Sequence, residues 1–109
     1  MSTATHLEYP LALQEQAQAV LDSLTPEPPP LRIGDGVLRV VGTRVSLDTV
    51  INAFKTGSTP EEIGEDYSSL ELADIYFVIG YYLRHREAIE AYLEERRKFA
   101  AEVQREIEA

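Results

Sequence analysis

Four cations, Arg32, Arg39, Arg44 and Lys55, fall within residues 31–58, the only one of the four segments 1–30, 31–58, 59–85 and 86–109 whose net charge is positive. Set against Asp35 and Asp48 they leave +2. Guanidinium and ammonium groups gathered on a short segment suit contact with phosphate oxygens, where charge-assisted hydrogen bonds are strong. The remainder of the chain opposes that chemistry at long range. Residues 1–30 carry −4, residues 59–85 carry −5 and residues 86–109 carry −2, for −9 in 109 residues. Binding to DNA is therefore disfavoured by net charge and left to a local patch or to a partner that supplies charge. The competing structural role is pairing with a nearby acid, for Arg44 either Asp48 or Asp66.

Other chemistry finds little support. There is no cysteine, which excludes disulfides and thiolate metal sites. His6 and His85 lie far apart, and neither has a second histidine at helical metal-ligand spacing. No nucleophile sits beside a partnered base, and no glycine-rich phosphate loop appears. No catalytic, cofactor-binding or metal-binding residue is assigned, and the expectation is a protein that is not an enzyme. Aromatic residues at helical spacing are the remaining candidates. Tyr76, Tyr81 and Tyr82 could form a stacking platform, but such stripes are more often core or subunit interface. Phe77, Val78, Tyr81, Tyr82, Tyr92 and Phe99 are taken as the candidate partner or dimer interface.

These residues need elements to hold them. Residues 9–24 form an amphipathic pattern, with Leu13, Ala17, Val20, Leu21 and Leu24 on one stripe and Pro10 suited to the first helical position. TPEPPP at 25–30 ends that helix and favours an extended spacer. Residues 31–41 read as a small hairpin around Gly34-Asp35-Gly36, with Ile33, Val37, Val40 and Val41 expected to cover the helices. Ser46 caps a helix whose Leu47, Val50, Ile51 and Phe54 follow one buried face, and Gly57 stops it. Thr59-Pro60-Glu61-Glu62 is a capping box opening a short helix, about 60–66, anchored by Ile63 and Tyr67.

A third helix, about 71–85, carries a stripe of Leu72, Ile75, Tyr76, Ile79 and Leu83, and is apolar on most of its other sides. Such a helix must be covered on several sides, which predicts a homodimer. It opens with Glu71 and Asp74, a poor start for a helix reading base edges. Residues 86–108 follow as a long charged helix supported by Arg86–Glu90 and Glu94–Lys98 pairs, its stripe of Ile89, Tyr92, Leu93, Ala100, Val103 and Ile107 interrupted by Arg96. The fold class is mainly α: a helix-turn-helix-like three-helix core preceded by a β-hairpin, with flanking terminal helices. The organisation is 1–30 helix and linker, 31–85 hairpin plus core, and 86–109 charged helix. The longest apolar run, 75–83, is too short to span a bilayer. MSTATHLEYP lacks signal-peptide character, so a cytoplasmic location and no membrane association are expected.

The segments VVGTRVSLDTVINAF and GSTPEEIGEDYSSLELADIYFVIGYYL resemble domain-of-unknown-function family 433, a prokaryotic family. The matching residues are Gly42, Thr43, Arg44, Val45, Gly57, Pro60, Glu61, Glu62, Ile63, Tyr67, Leu70, Leu72, Asp74 and Ile75. The resemblance covers 31–83 and implies a helix-turn-helix-like fold. It also implies an antitoxin role, since members are often predicted to be antitoxins encoded beside PIN-like ribonuclease toxins. The leading expectation is an interaction protein that masks a PIN-like toxin, with acidic surfaces steering it and the terminal helices as clamps. The alternative is a dimeric DNA-binding regulator using the basic hairpin.

Overall fold

The computed structural model describes residues 10–108. In chain order it contains α1 (Leu11–Ser23), β1 (Leu31–Gly34), β2 (Val37–Val40), α2 (Leu47–Lys55), α3 (Pro60–Asp66), α4 (Leu72–Arg84) and α5 (Arg86–Glu108). The expected class holds: the chain is mainly helical, with a two-stranded antiparallel hairpin preceding the core helices. Tyr9 and His6 lie outside the described residues. Pro10 stands just before α1 as its N-cap rather than as its first helical residue.

Local signals place most boundaries. Asp35 (φ 56°) and Gly36 (φ 77°) form the two-residue turn, and the positive φ at both is what the tight hairpin turns need to match strand twist. The register pairs Leu31 with Val40 and Arg32 with Arg39. Ser46 Oγ accepts from the Thr49 N–H at 3.2 Å to start α2, with Asp48 in the first turn and Lys55 in the last, as the helix dipole favours. At α3 the capping box closes in both directions: Thr59 N–H donates to Glu62 Oε1 at 2.8 Å, and Glu62 N–H donates to Thr59 Oγ1 at 3.1 Å. These bonds hold the Glu62 carboxyl below its ordinary pKa, the Thr59 backbone contributing most. Thr59→Ala is expected to cost about 1 kcal/mol, read as a lower urea midpoint at unchanged slope.

The core is built from Val40, Leu47, Val50, Ile51, Ile63, Leu70, Ile75, Val78, Ile79, Tyr82, Ile89 and Leu93. α4 packs against both α2 and α3, and its buried side is Ile75, Val78, Ile79 and Tyr82. That face is rotated from the expected stripe, leaving Leu72, Tyr76 and Leu83 about half exposed. Tyr76 still has a task, since its hydroxyl donates to Glu61 Oε2 and ties α4 to α3. Three other expected anchors also face solvent. Ile33 is 76% exposed and Val41 50%, while Leu31 and Leu38 pack on the core instead. Tyr67 is 39% exposed, and Leu70, just beyond it, is the buried residue. β2 is covered at both of its ends, Val37 and Val40, while Ile33 on β1 stays open, an asymmetry that alternation alone does not predict.

The core also extends past the expected boundary at 85/86. Ile89 and Leu93 of α5 belong to it, and the Tyr92 hydroxyl accepts from the Leu38 N–H at 2.8 Å. Arg96, the apparent flaw in the stripe, bonds Asp48 of α2 at 3.2 Å. Glu90 turns away from its expected partner Arg86 and bonds Lys55 at 2.9 Å as well as the Tyr82 hydroxyl, while Arg86 lies over the Tyr82 ring. Further along, the expected Glu94–Lys98 pair gives way to Glu94–Arg97 and Glu95–Lys98.

The Tyr82 hydroxyl, then the Lys55 ammonium, hold the Glu90 carboxyl below its usual range, and the same bond with partial burial raises Tyr82. A depressed carboxyl stabilises the fold above its unfolded pKa, and that contribution is lost as pH falls through the folded value. A raised phenol contributes below about 10 and loses that contribution as pH rises through its folded value. The difference in urea midpoint between the parent and Glu90→Gln is therefore expected to be largest near neutral pH. It should shrink as the pH is taken below about 4; a difference unchanged at acid pH would remove this carboxylate from the account.

Candidate functional site

Three of the four candidate cations meet at the hairpin. Gly42 (φ 79°) bends the chain after β2, and Val40 N–H donates to the Val45 carbonyl at 2.9 Å, closing a second turn over residues 41–44. Thr43 locks that turn: its hydroxyl donates to the Val40 carbonyl and accepts from the Val45 N–H, both at 3.0 Å. Arg44 is thereby carried back beneath the strands. Arg32 Nη2 donates to the Thr43 carbonyl at 3.0 Å, and Arg39 Nη1 donates to the Arg44 carbonyl at 2.7 Å.

Arg32, Arg39 and Arg44 line one polar concavity of about 300 Å³ together with Gly34 and Asp35. Lys55 does not join them, being paired with Glu90 on another surface. The expected pairing of Arg44 with Asp48 is absent because Asp48 is taken by Arg96. Among the described residues, none of the three hairpin arginines has a carboxylate partner, in a chain with 19 acids and 10 bases. Gly34 and Asp35 were legible in the sequence only as turn residues. The pairing of Arg32 with Arg39 across a tight two-residue turn was the signal that could have placed them in one site.

The candidate interface residues separate into two groups. Val78 (1% exposed) and Tyr82 (3%) are core of the single chain and offer no surface to a partner, a correction to the expected interface. Tyr92 is likewise engaged with the hairpin. Phe77 and Tyr81 are half-buried, Tyr81 stacking on His85 with ring centroids 4.2 Å apart. Phe99 is 63% exposed and lines a groove of about 430 Å³ with Val37, Tyr92 and Arg96.

Beyond Phe99 the apolar edge of α5 continues open through Val103 and Ile107. α1 buries none of its residues, and Leu11, Leu13, Val20, Leu21 and Leu24 are each at least half exposed. The radius of gyration, 20.9 Å, exceeds the roughly 13 Å of a compact 100-residue domain because these terminal segments project.

The turn holding Gly42, Thr43 and Arg44, followed by the capped α3 and apolar α4, lies within the part of the chain that a family model matches. Residues 31–82 match family DUF433, described as a protein of unknown function. A crystal structure of a DUF433 member protein from Anabaena variabilis shares the fold, with a TM-score of 0.51 at 24% identity. It covers 86% of this chain and 99% of that one, so the likeness extends past the DUF433 segment into the flanking helices. No curated protein matches the chain. The three-arginine concavity lies wholly within the DUF433 segment, whereas α1 and α5 lie outside it. Among the described residues, no helix is long and apolar enough to cross a membrane.

Proposed function

We propose that this DUF433 protein is a non-enzymatic, antitoxin-like subunit that binds and masks a PIN-like ribonuclease toxin. The observation that carries the reading is the pair of terminal apolar edges, Leu11 to Leu24 along α1 and Phe99, Val103 and Ile107 on α5, left open by the chain's own core. Open amphipathic helices are the elements that enter grooves of partner proteins. The acidic balance of residues 1–30 and 59–85 steers them toward a basic partner. Self-association, the second part of the proposal, uses the edge of α4 that stays open, Leu72, Tyr76 and Leu83; sedimentation as a monomer at micromolar concentration overturns that part.

The test is a tagged pull-down from the native cell, followed by assay of the captured protein for ribonuclease activity with and without the full chain. Stoichiometric capture of a ribonuclease that the chain inhibits, lost in Leu21→Glu and Phe99→Glu, is the expected result. Return of the bait alone overturns the reading.

DNA binding through the hairpin is a second reading, favoured by the convergence of Arg32, Arg39 and Arg44. It predicts salt-sensitive gel shifts on the protein's own upstream DNA that weaken in Arg39→Ala and Arg44→Ala. Unchanged shifts in both variants remove it.

A further inference from the structure

Three guanidinium groups sharing about 300 Å³ with a single carboxylate, Asp35, carry a local charge near +2. Like charges brought this close are costly unless enough anion lies between them, and among the described residues no carboxylate forms an ion pair with any of the three, Asp35 being the one acid that lines the concavity. The arrangement is nevertheless built. Two of the guanidinium groups are fixed by backbone carbonyls of the intervening turn, Arg32 by Thr43 and Arg39 by Arg44. Each retains most of its five donors after that one bond. Fixing them in advance lowers the entropy lost when a ligand arrives.

Gly34 completes the cradle. A Cβ at that position would stand 2.5 Å from Arg32 Nη1 and 3.6 Å from Arg39 Cδ, so only glycine lets the Arg32 guanidinium lie where it does.

We infer that Arg32, Arg39 and Arg44 form a binding site for a phosphate monoester, recognised as its dianion. Arginine forks match tetrahedral phosphate oxygens with paired N–H donors. A dianion balances the local charge, which a carboxylate or a single phosphodiester does not. Size agrees, since the concavity is at the small end of the range for small-molecule sites. Long range selects in the same direction: a chain of −9 repels an extended polyanion, whereas one compact dianion is governed by the groups it touches. This site is independent of the partner masking proposed above, because it uses no residue of α1 or α5.

The experiment is a titration of the full chain, followed by backbone amide shifts, with inorganic phosphate, methyl phosphate, dimethyl phosphate and acetate. Saturable shifts confined to residues 32–45 are expected with the first two. Dimethyl phosphate and acetate should bind at least about tenfold more weakly. Arg44→Gln should weaken methyl phosphate at least about tenfold, a loss of roughly 1.4 kcal/mol. Gly34→Ala provides a variant that keeps the fold, since the clash is with the end of a flexible side chain; it should weaken binding with an unchanged circular dichroism spectrum.

A 5′-phosphorylated trinucleotide distinguishes the source. Tighter binding than methyl phosphate, lost without the terminal phosphate, assigns the site to nucleic-acid ends; equal binding assigns it to small phosphate monoesters. Shifts scattered over the charged surface, equal response to acetate, or full binding by Arg44→Gln and Gly34→Ala each overturn the site.

Discussion

A chain cut after His85 is expected to be unfolded, and one cut after Arg97 to keep its fold. The two deletions remove different things. Ending at His85 takes away Ile89 (8% exposed) and Leu93 (1%) from the core. It also leaves the Leu38 N–H without the Tyr92 hydroxyl, Lys55 without Glu90, and Asp48 without Arg96. Each buried aliphatic side chain contributes about 1.5–3 kcal/mol, and the lost bonds of Tyr92, Glu90 and Arg96 add to that. Against a total stability of about 5–15 kcal/mol, that sum is a large fraction of what holds a chain of this size folded. Ending at Arg97 removes only exposed residues among those described.

Thermal unfolding monitored by circular dichroism separates the cases. A cooperative transition in the shorter chain would place the core entirely within 31–85. The longer truncation also isolates function: it lacks Phe99, Val103 and Ile107, so it should fold and yet lose the proposed toxin. Retained partner binding there would confine the contact to α1 or to the core.

Ile63→Ala is the point substitution expected to do most damage. Ile63 is fully buried and is the one core residue that α3, seven residues long, contributes. A helix that short has no independent stability, so it is held by this side chain and by its cap. Truncation to alanine removes the transfer energy of the lost atoms and leaves a cavity in the core, a loss of about 2–5 kcal/mol. The melting temperature should fall by more than about 10 °C. Ile33→Ala, at a position 76% exposed, serves as the comparison and should change stability by less than about 0.5 kcal/mol. Equal effects at the two sites would mean that the Ile33 side chain is packed in solution, contrary to its exposure in this structure.

The arginine concavity and the Phe99 groove adjoin at Asp35, which lines both, but they draw their other side chains from different elements. The arginine cradle sits on the hairpin inside the DUF433 segment, and the apolar edges belong to the terminal helices outside it. Variants in one should leave the other intact, so Arg44→Gln is expected to retain the toxin and Phe99→Glu to retain methyl phosphate. Loss of both from either single variant would mean that one surface depends on the other.

The sequence alone determined the features that short-range physics controls. Ser46 and Thr59 announced helix starts because their oxygens satisfy nearby N–H groups, and Asp35-Gly36 announced the turn because it needs positive φ. The order of elements, the mainly helical class and the family resemblance followed from such signals and from the GTR motif.

Tertiary structure decided which faces are inside. α4 is apolar nearly all round, so its periodicity could not tell the buried Val78 and Tyr82 from the exposed Leu72 and Leu83. Only the placement of α2, α3 and α5 resolves that choice. Arg96 looked like a break in a stripe until Asp48, 48 positions away, came within bonding distance. The arginine cradle is of the same kind: Arg32, Arg39 and Arg44 are spread over thirteen positions, and two turns of chain bring their charges into one concavity. Pairings of this sort depend on distances set by the whole fold, which spacing along the chain does not encode.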